Sequence, residues 1–375
     1  MNLQVLPVNS RERLKQFLHL PHRIYRDDPH WVPPLTFERK EFLNPKKNPF
    51  FRHGEAQFFL AFKNEKPVGR ISAQIHHGHL ERFKDATGFF GFFEAMNDKE
   101  VAQSLFQTAS SWLREKGIKK IRGPFNFTMY DNETGILIDG FDSPPQIMMG
   151  HNPPYYASLL EQCGFQKVKD VFAWHYDMAK LSEPAVQIAD ATRAYPGLTL
   201  RSINMKNFAE EVRLMMGIYN EAWGENWGFI PAAEAEIQYV AKQLKPIIDP
   251  NMAFFAFVNG DPAGFSVFIP NVNEAIRDLN GKLFPFGWAK LLWRLKRGLK
   301  SGRLCLMGIR KPYRGSKLGS LSVLLNVEMH LRSRKGRYQY GELGWTDEAN
   351  DRINQGISFM GGRKYKTYRI YEKEL

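Results

Sequence analysis

Four cations, Arg310, Lys311, Arg314 and Lys317, stand among the glycines of a stretch that runs from Gly308 to Ser320. An apolar, strand-like run precedes it, Leu304-Cys305-Leu306-Met307, and a helical run follows from Leu321 to Glu328. A strand, a basic glycine-containing turn and a helix start together make an anion site. The first amides of a helix have no intrahelical partner, and its dipole favours negative charge there. Gly315 and Gly319 let backbone approach a phosphate closely, and Ile309, Ser316, Leu318 and Ser320 belong to the same turn. The spacing predicts phosphate binding; a merely basic turn is the alternative.

Other stretches carry polar groups at places where chemistry is often found. Gly123 to Gly135 contains Asn126, Asp131, Asn132 and Glu133 and follows the strand-like run Ile118 to Ile121. Loops leaving strand ends are common sites in α/β folds, and plain turn chemistry reads equally well here. His151-Asn152-Pro153-Pro154-Tyr155-Tyr156 reads as a helix start with proline near its first position. Trp223 to Phe229 is a substrate-lining loop or an aromatic plug. Glu342 to Asn350 follows the strand-like Tyr338-Gln339-Tyr340 and brings three carboxylates, Glu342, Asp347 and Glu348. Asp347 is also a candidate helix cap. No His-Glu-x-x-His, Cys-x-x-Cys or nucleophile-elbow pattern occurs, so no metal is expected.

The elements that must position these residues occur twice. Ala56 to Gln74 reads as strand, turn at Asn64-Glu65-Lys66-Pro67, and strand; Ala253 to Ile269 repeats this around Asn259-Gly260-Asp261-Pro262. A strand-like start and a helix precede each hairpin, and each copy ends on a glycine turn, Gly164-Phe165 or Gly361-Gly362. Gly69 matches Gly264 and Gly164 matches Gly361, an offset of about 195 residues that marks an internal duplication. The expected domains are residues 1–180 and 197–375, joined by the polar Lys180 to Pro184. Mixed strand and helix signals make each an α/β (α+β) domain. The first copy has no phosphate turn: Met96-Asn97-Asp98-Lys99 stands at its strand-to-helix junction, with Asp98 as helix cap.

The chain has 375 residues, 43% hydrophobic and 14% aromatic, which excludes a disordered protein and suits two cores. Cys163 and Cys305 are far apart and read as buried thiols in a reducing compartment. The start, Met1-Asn2-Leu3-Gln4-Val5, lacks the regions of a signal peptide, and a cytoplasmic location is expected. Net charge is +13. Much of the excess is local, since no acidic residue occurs between Asp278 and Glu328. An anionic partner is implied, and the absence of a reading module argues against nucleic acid. Residues 281–303 interrupt the second copy with Trp288, Leu291, Leu292, Leu295 and Leu299 at helical spacing, and Lys290, Arg294, Arg297 and Lys300 on another side. This is a peripheral membrane element at an anionic inner surface, or a helix lying on its own domain with a solvated basic face.

Arg314 and Gly319 fall in the Arg/Gln-x-x-Gly-x-Gly/Ala pattern of the GNAT superfamily of acyl-CoA-dependent acyltransferases, with Lys317 where its middle glycine belongs. Over nearly the whole chain the sequence resembles a bacterial tandem-GNAT group that includes the ceramide synthases and YghO-like proteins. That resemblance rests on Gly123 to Asn126, Gly135 to Asp142, His151 to Tyr156, Tyr219 to Trp223 with Asn226 to Gly228, and Gly361 to Tyr371. It implies two GNAT-like domains, each a mixed, largely antiparallel twisted sheet flanked by helices. It also implies transfer from acyl-CoA to a primary amine, which for some members belongs to a sphingoid base. The strand bearing the cofactor turn would splay from its neighbour, the backbone near Ile309 would polarise the thioester, and Glu342, Asp347 or Glu348 would take the amine proton. Asn126 and Glu133 would contribute from the first domain. The tyrosine that many members use as acid matches Ile357 and Leu160 here. A non-catalytic acyl-CoA or anionic-lipid binding protein is the rival reading.

Overall fold

Strand-forming residues crowd into the two repeated hairpins, and both form in the computed structural model, which describes residues 3–128, 133–315, 318–336 and 338–375. The first half runs β1 (Leu3–Pro7), α1 (Arg11–Ile24), α2 (Thr36–Phe42), β2 (Gly54–Lys63), β3 (Lys66–His76), α3 (His77–Phe83), β4 (Thr87–Ala95) and α4 (Lys99–Glu115). It continues through β5 (Lys120–Gly123), β6 (Ile136–Asp139), α5 (Tyr156–Gln162) and β7 (Gln166–Asp177). The second half runs α6 (Glu183–Arg193), β8 (Leu198–Ser202), α7 (Phe208–Trp223), α8 (Glu234–Leu244), β9 (Ala253–Val258), β10 (Asp261–Pro270) and α9 (Asn273–Ile276). It ends with α10 (Gly287–Arg297), β11 (Ser301–Ile309), α11 (Leu321–Lys335), β12 (Tyr340–Asp347), α12 (Asp351–Phe359) and β13 (Arg363–Glu374).

Two compact units result. One comprises the chain up to Val171 with Ile276–Phe284 and Lys366–Leu375; the other comprises Phe172–Ala275 and Pro285–Tyr365. In the first unit, β1 to β4 form an antiparallel meander and β5 joins β4 in parallel. The end of β13 then pairs antiparallel with β5, Tyr371 opposite Gly123 and Glu374 opposite Lys120. In the second unit, β8 to β11 repeat the meander and β12 joins β11 in parallel. In each unit the strand pairing is mixed and helices flank it, as the sequence predicts.

Helical spacing of small and apolar residues sets each core. Val101, Ala102, Leu105, Phe106, Ala109 and Leu113 lie on one stripe of α4 and are buried in the first unit. Asp98 caps that helix, accepting from the amides of Glu100 and Val101 and pairing with Lys63 at 2.8 Å. Leu321, Leu324, Leu325 and Val327 of α11 are buried in the second unit. Local readings change in three places. The helix after His151 begins at Tyr156, so the prolines lie ahead of it. Asn350, not Asp347, caps α12. The strand expected at Tyr338–Tyr340 instead starts at Tyr340 and carries Glu342 and Asp347 within it, because Gly341 and Gly344 disguise a strand as a loop.

A Cβ added at Gly91 of β4 would overlap the carbonyl oxygen of Phe125, which is fixed backbone. Gly91→Ala is therefore expected to cost about 1–3 kcal/mol, read as a lowered denaturant midpoint with an unchanged slope.

Candidate functional site

The second unit contains a fork. β11 and β12 are paired from Ser301/Tyr340 to Leu304/Leu343 and no further, although β11 runs on to Ile309 and β12 to Asp347. On its other side β11 slips register against β10 between Val267 and Phe268, leaving Cys305 as the extra residue of a bulge. The Cys305 thiol donates to the Val267 carbonyl at 3.6 Å, and burial pushes it up to about 11, so it remains a thiol.

The basic turn sits at the end of the longer tine. Arg310, Lys311 and Arg314 are held by α7, the helix bearing Tyr219 to Trp223, and by the residues just after it. Arg310 Nε donates to Glu221 at 2.7 Å, the Lys311 amide donates to the same carboxylate at 3.1 Å, and Lys311 Nζ pairs with Glu225 at 2.6 Å. Burial pushes Glu221 up, but the hydrogen bonds from Arg310 and Lys311 outweigh it and hold the carboxyl below its usual range. Arg314 donates to the carbonyls of Ile309 and Ala222, each at 2.8 Å, and Trp223 Nε1 donates to Met307 at 3.1 Å. Gly315 takes φ +74°, a value glycine adopts without strain. Leu318, Gly319 and Ser320 form the turn into α11, and Ser320 spends its hydroxyl on Thr192 rather than on a helix amide. Ser316 and Lys317 lie outside the described residues. The turn is thus braced from one side, and Ser320 makes no side-chain cap at the start of α11.

The three carboxylates of β12 differ in placement. Glu342 is 1% exposed, lies opposite Arg303 in the paired part of the fork and is 3.2 Å from its Nε; Tyr365 also donates to it. Asp347 accepts from the Ala349 amide at 2.8 Å, and Glu348 follows it, half-buried, beyond the end of the strand. Trp174 and Asn354 hold Thr346 between them, at 2.9 and 2.7 Å.

The first unit has a matching fork, paired from Thr87/Lys120 to Phe89/Arg122, but its own chain enters it. The Phe125 amide donates to Phe90, Gln74 holds the Phe125 carbonyl and the Phe127 amide, and Asn126 Oδ1 accepts from Phe92 at 2.7 Å. Asn126 and Glu133 do meet: Asn126 Nδ2 donates to Glu133 at 2.6 Å, and Arg39 pairs with it at 2.8 Å. Around them stand Tyr25, Arg70 and Glu94, which no sequence motif marks, and Tyr156 of the His151–Tyr156 stretch. Glu94 accepts from Tyr25 at 2.8 Å and Tyr156 at 2.7 Å and lies 3.4 Å from Arg70; burial raises its pKa, and burial beside it raises both tyrosines. Only the long-range contacts reveal this cluster, since Tyr25, Glu94 and Tyr156 are scattered along the chain.

On α10, Leu291 and Leu295 turn inward, as does Leu299 just beyond it, and Arg294 donates to the Ala275 carbonyl at 2.7 Å. Phe286 (77% exposed), Trp288, Leu292 and Trp293 (each of the last two 58%) face outward with Lys296 and Arg297. The expected apolar and basic sides are therefore redistributed: aromatic residues and cations share the outer face. Among the described residues, no helix is long and apolar enough to cross a membrane.

No protein-family model matches the chain. The chain is 42% identical over 385 aligned positions to the bacterial ceramide synthase of Caulobacter vibrioides, covering 100% of this chain and 98% of that protein. It is also 42% identical over 371 positions to protein YghO of Escherichia coli, covering 98% and 94%. The chain belongs to their family. Solved structures agree on the fold of this ceramide synthase/YghO family member. A tandem GNAT protein from the clavulanic acid biosynthesis pathway superposes with a TM-score of 0.58 at 15% identity, over 100% of this chain and 98% of that one. A GCN5-related N-acetyltransferase from Sphaerobacter thermophilus gives 0.54 at 12% identity, over 99% and 95%. The chain therefore has a tandem GNAT fold.

Removing Glu342 would strand the buried Arg303 cation. Glu342→Ala is expected to lose about 3–5 kcal/mol of stability, seen in a denaturant melt, with far less loss for an Arg303→Met, Glu342→Leu double variant.

Proposed function

We propose that the chain transfers an acyl group from acyl-CoA to the primary amine of a lipid. The observation that carries this reading is the parted β11–β12 pair leading to a braced basic turn at the N-terminus of α11. The turn of Ile309, Arg310, Arg314, Gly315, Ser316, Lys317, Leu318, Gly319 and Ser320 would hold the pyrophosphate, with α11 amides and dipole supplying most of the attraction. Arg310 and Lys311 are already matched by Glu221 and Glu225, so those two cations shape the turn more than they charge it. The parted strands leave backbone near Ile309 to polarise the thioester carbonyl. The amine nitrogen attacks that carbon, the C–N bond forms, the C–S bond breaks, and the thiolate takes a proton. Glu342 is committed to Arg303 and Tyr365; Glu348, beyond the strand end, is the better placed of the two to relay that proton.

The lipid acceptor is supported by the relative named a ceramide synthase, whose product is an amide of a sphingoid amine, and by the outer face of α10. Aromatic residues there suit the acyl boundary, and each cation near an anionic surface contributes about 1 kcal/mol.

The decisive assay is thiol release from short- and long-chain acyl-CoAs against soluble and long-chain amines. Binding of acyl-CoA without thiol release on any amine would identify a binding protein instead. Gly319→Asp places a like charge and a side chain where phosphate approaches, and is expected to weaken acyl-CoA affinity at least tenfold in calorimetry while the fold persists. Unchanged affinity would remove the turn from the site. Separately, Lys296→Glu, Arg297→Glu and Lys300→Glu together are expected to abolish sedimentation with anionic vesicles, and salt should imitate them by screening. Thiol release with a soluble amine should survive that triple change.

A further inference from the structure

We propose that Thr192 is a positioning residue of the donor site: by holding the Ser320 hydroxyl, it keeps the start of α11 uncapped and open to the acyl-CoA pyrophosphate. The inference rests on the acyl-CoA reading above and concerns the second unit alone.

The two copies show both states of a helix start. Asp98, just ahead of α4, takes φ −146° and ψ 110°. Its carboxylate accepts from Glu100 at 3.0 Å and Val101 at 3.4 Å, the second and third helical amides. Serine caps as well as aspartate does. Ser320 stands at the same place ahead of α11, yet it takes φ −93° and ψ 9° and gives no side-chain cap. The corresponding amides belong to Ser322 and Val323. Val323 donates to the Ser320 carbonyl at 2.9 Å, whereas the Ser322 amide makes no hydrogen bond among the described residues. An N–H left open at the positive end of a helix dipole is what a phosphate oxygen meets.

Thr192, near the end of α6, accounts for the difference. That helix lies in the stretch the sequence leaves between the two domains, and it buries Ala185, Ala189 and Thr192, spaced along one face. Ala185 and Ala189 join the core of the second unit. Arg193 pairs with Glu328 of α11 at 3.0 Å and fixes the two helices to one another. Thr192 is 5% exposed, and its hydroxyl donates to the Ile188 carbonyl at 2.7 Å. It has one proton to give, so in the 2.9 Å contact with Ser320 Oγ the serine donates and Thr192 accepts. Ser320 is thereby tied to α6 and away from the amide it would otherwise cover.

Without that acceptor, Ser320 is free to swing to the extended backbone of a cap and to accept from Ser322. Phosphate then competes with a hydroxyl for the same amide, and donor affinity falls about fivefold, the equivalent of one serine cap. The competition lies at the pyrophosphate, so its size is the same whatever acyl chain the donor carries.

The test measures calorimetric affinity for CoA and for palmitoyl-CoA. Thr192→Val keeps the shape and loses the acceptor, and it should weaken both about fivefold; Thr192→Ser should restore the wild-type value. In a Ser320→Ala background no hydroxyl remains to cap, so adding Thr192→Val should cost nothing further. General damage to α6 would instead cost the same in both backgrounds. Thr192→Ala takes the place of the valine variant should that one fail to fold. Wild-type affinity in a folded Thr192→Val protein, or an equal loss in both backgrounds, would overturn the inference. Solvent exchange of the Ser322 amide, followed in ¹⁵N spectra of the ligand-free protein, gives a second measurement. Thr192→Val should slow it, and the double variant should not. An unchanged rate in Thr192→Val overturns the inference whether or not the chain binds a donor. A wild type that binds neither CoA nor palmitoyl-CoA overturns the acyl-CoA reading instead.

Discussion

The ion pair between Arg303 and Glu342 sets where the second unit opens. The two residues stand opposite each other on adjacent parallel strands, one pair before hydrogen bonding stops. A buried pair of this kind contributes little net stability but penalises every register that separates its charges. Pairing ends one residue pair beyond it, the remaining backbone of β11 and β12 is not paired, and Cys305 adds a bulge on the opposite edge of β11. Everything placed further along follows: the end of β11, the turn it feeds, and the α7 residues that brace that turn.

The two units answer the same geometric opening in opposite ways. In the second, glycine, cations and a helix start that Ser320 does not cap follow the strand. In the first, Asp98 neutralises the helix start, and the Phe125–Phe127 segment, secured by Gln74 and Asn126, fills the opening. Duplication thus leaves one copy free to change its polarity. Positive charge collects around the turn of one copy, and carboxylates collect in the other.

Much of this is legible from local sequence where local physics decides. Asn259-Gly260 announces a tight turn, the apolar stripe of α4 announces its core face, and Asp98 announces a cap. The anion turn is readable because strand, glycine and helix follow one another within a few residues. Legibility fails where partners are remote. Glu342 looks like a loop carboxylate until Arg303 and Tyr365 are beside it. His151 looks like the prelude to a helix because Pro153 and Pro154 dominate the pattern, while Asp28, 2.8 Å from its ring, is 123 residues away. The outer face of α10 also depends on tertiary contact, since Arg294 is drawn inward by the carbonyl of Ala275, which no periodicity encodes.

The strand pairing of Tyr371 to Glu374 with β5 has a temporal meaning. Roughly 250 residues separate the two partners, and at about 5–20 residues per second a ribosome needs on the order of ten to fifty seconds to deliver the second. Throughout that interval the amino-terminal unit has most of its core but an open edge at β5, a template for any passing strand. The edge at β5 therefore stays open until the last residues of the chain arrive.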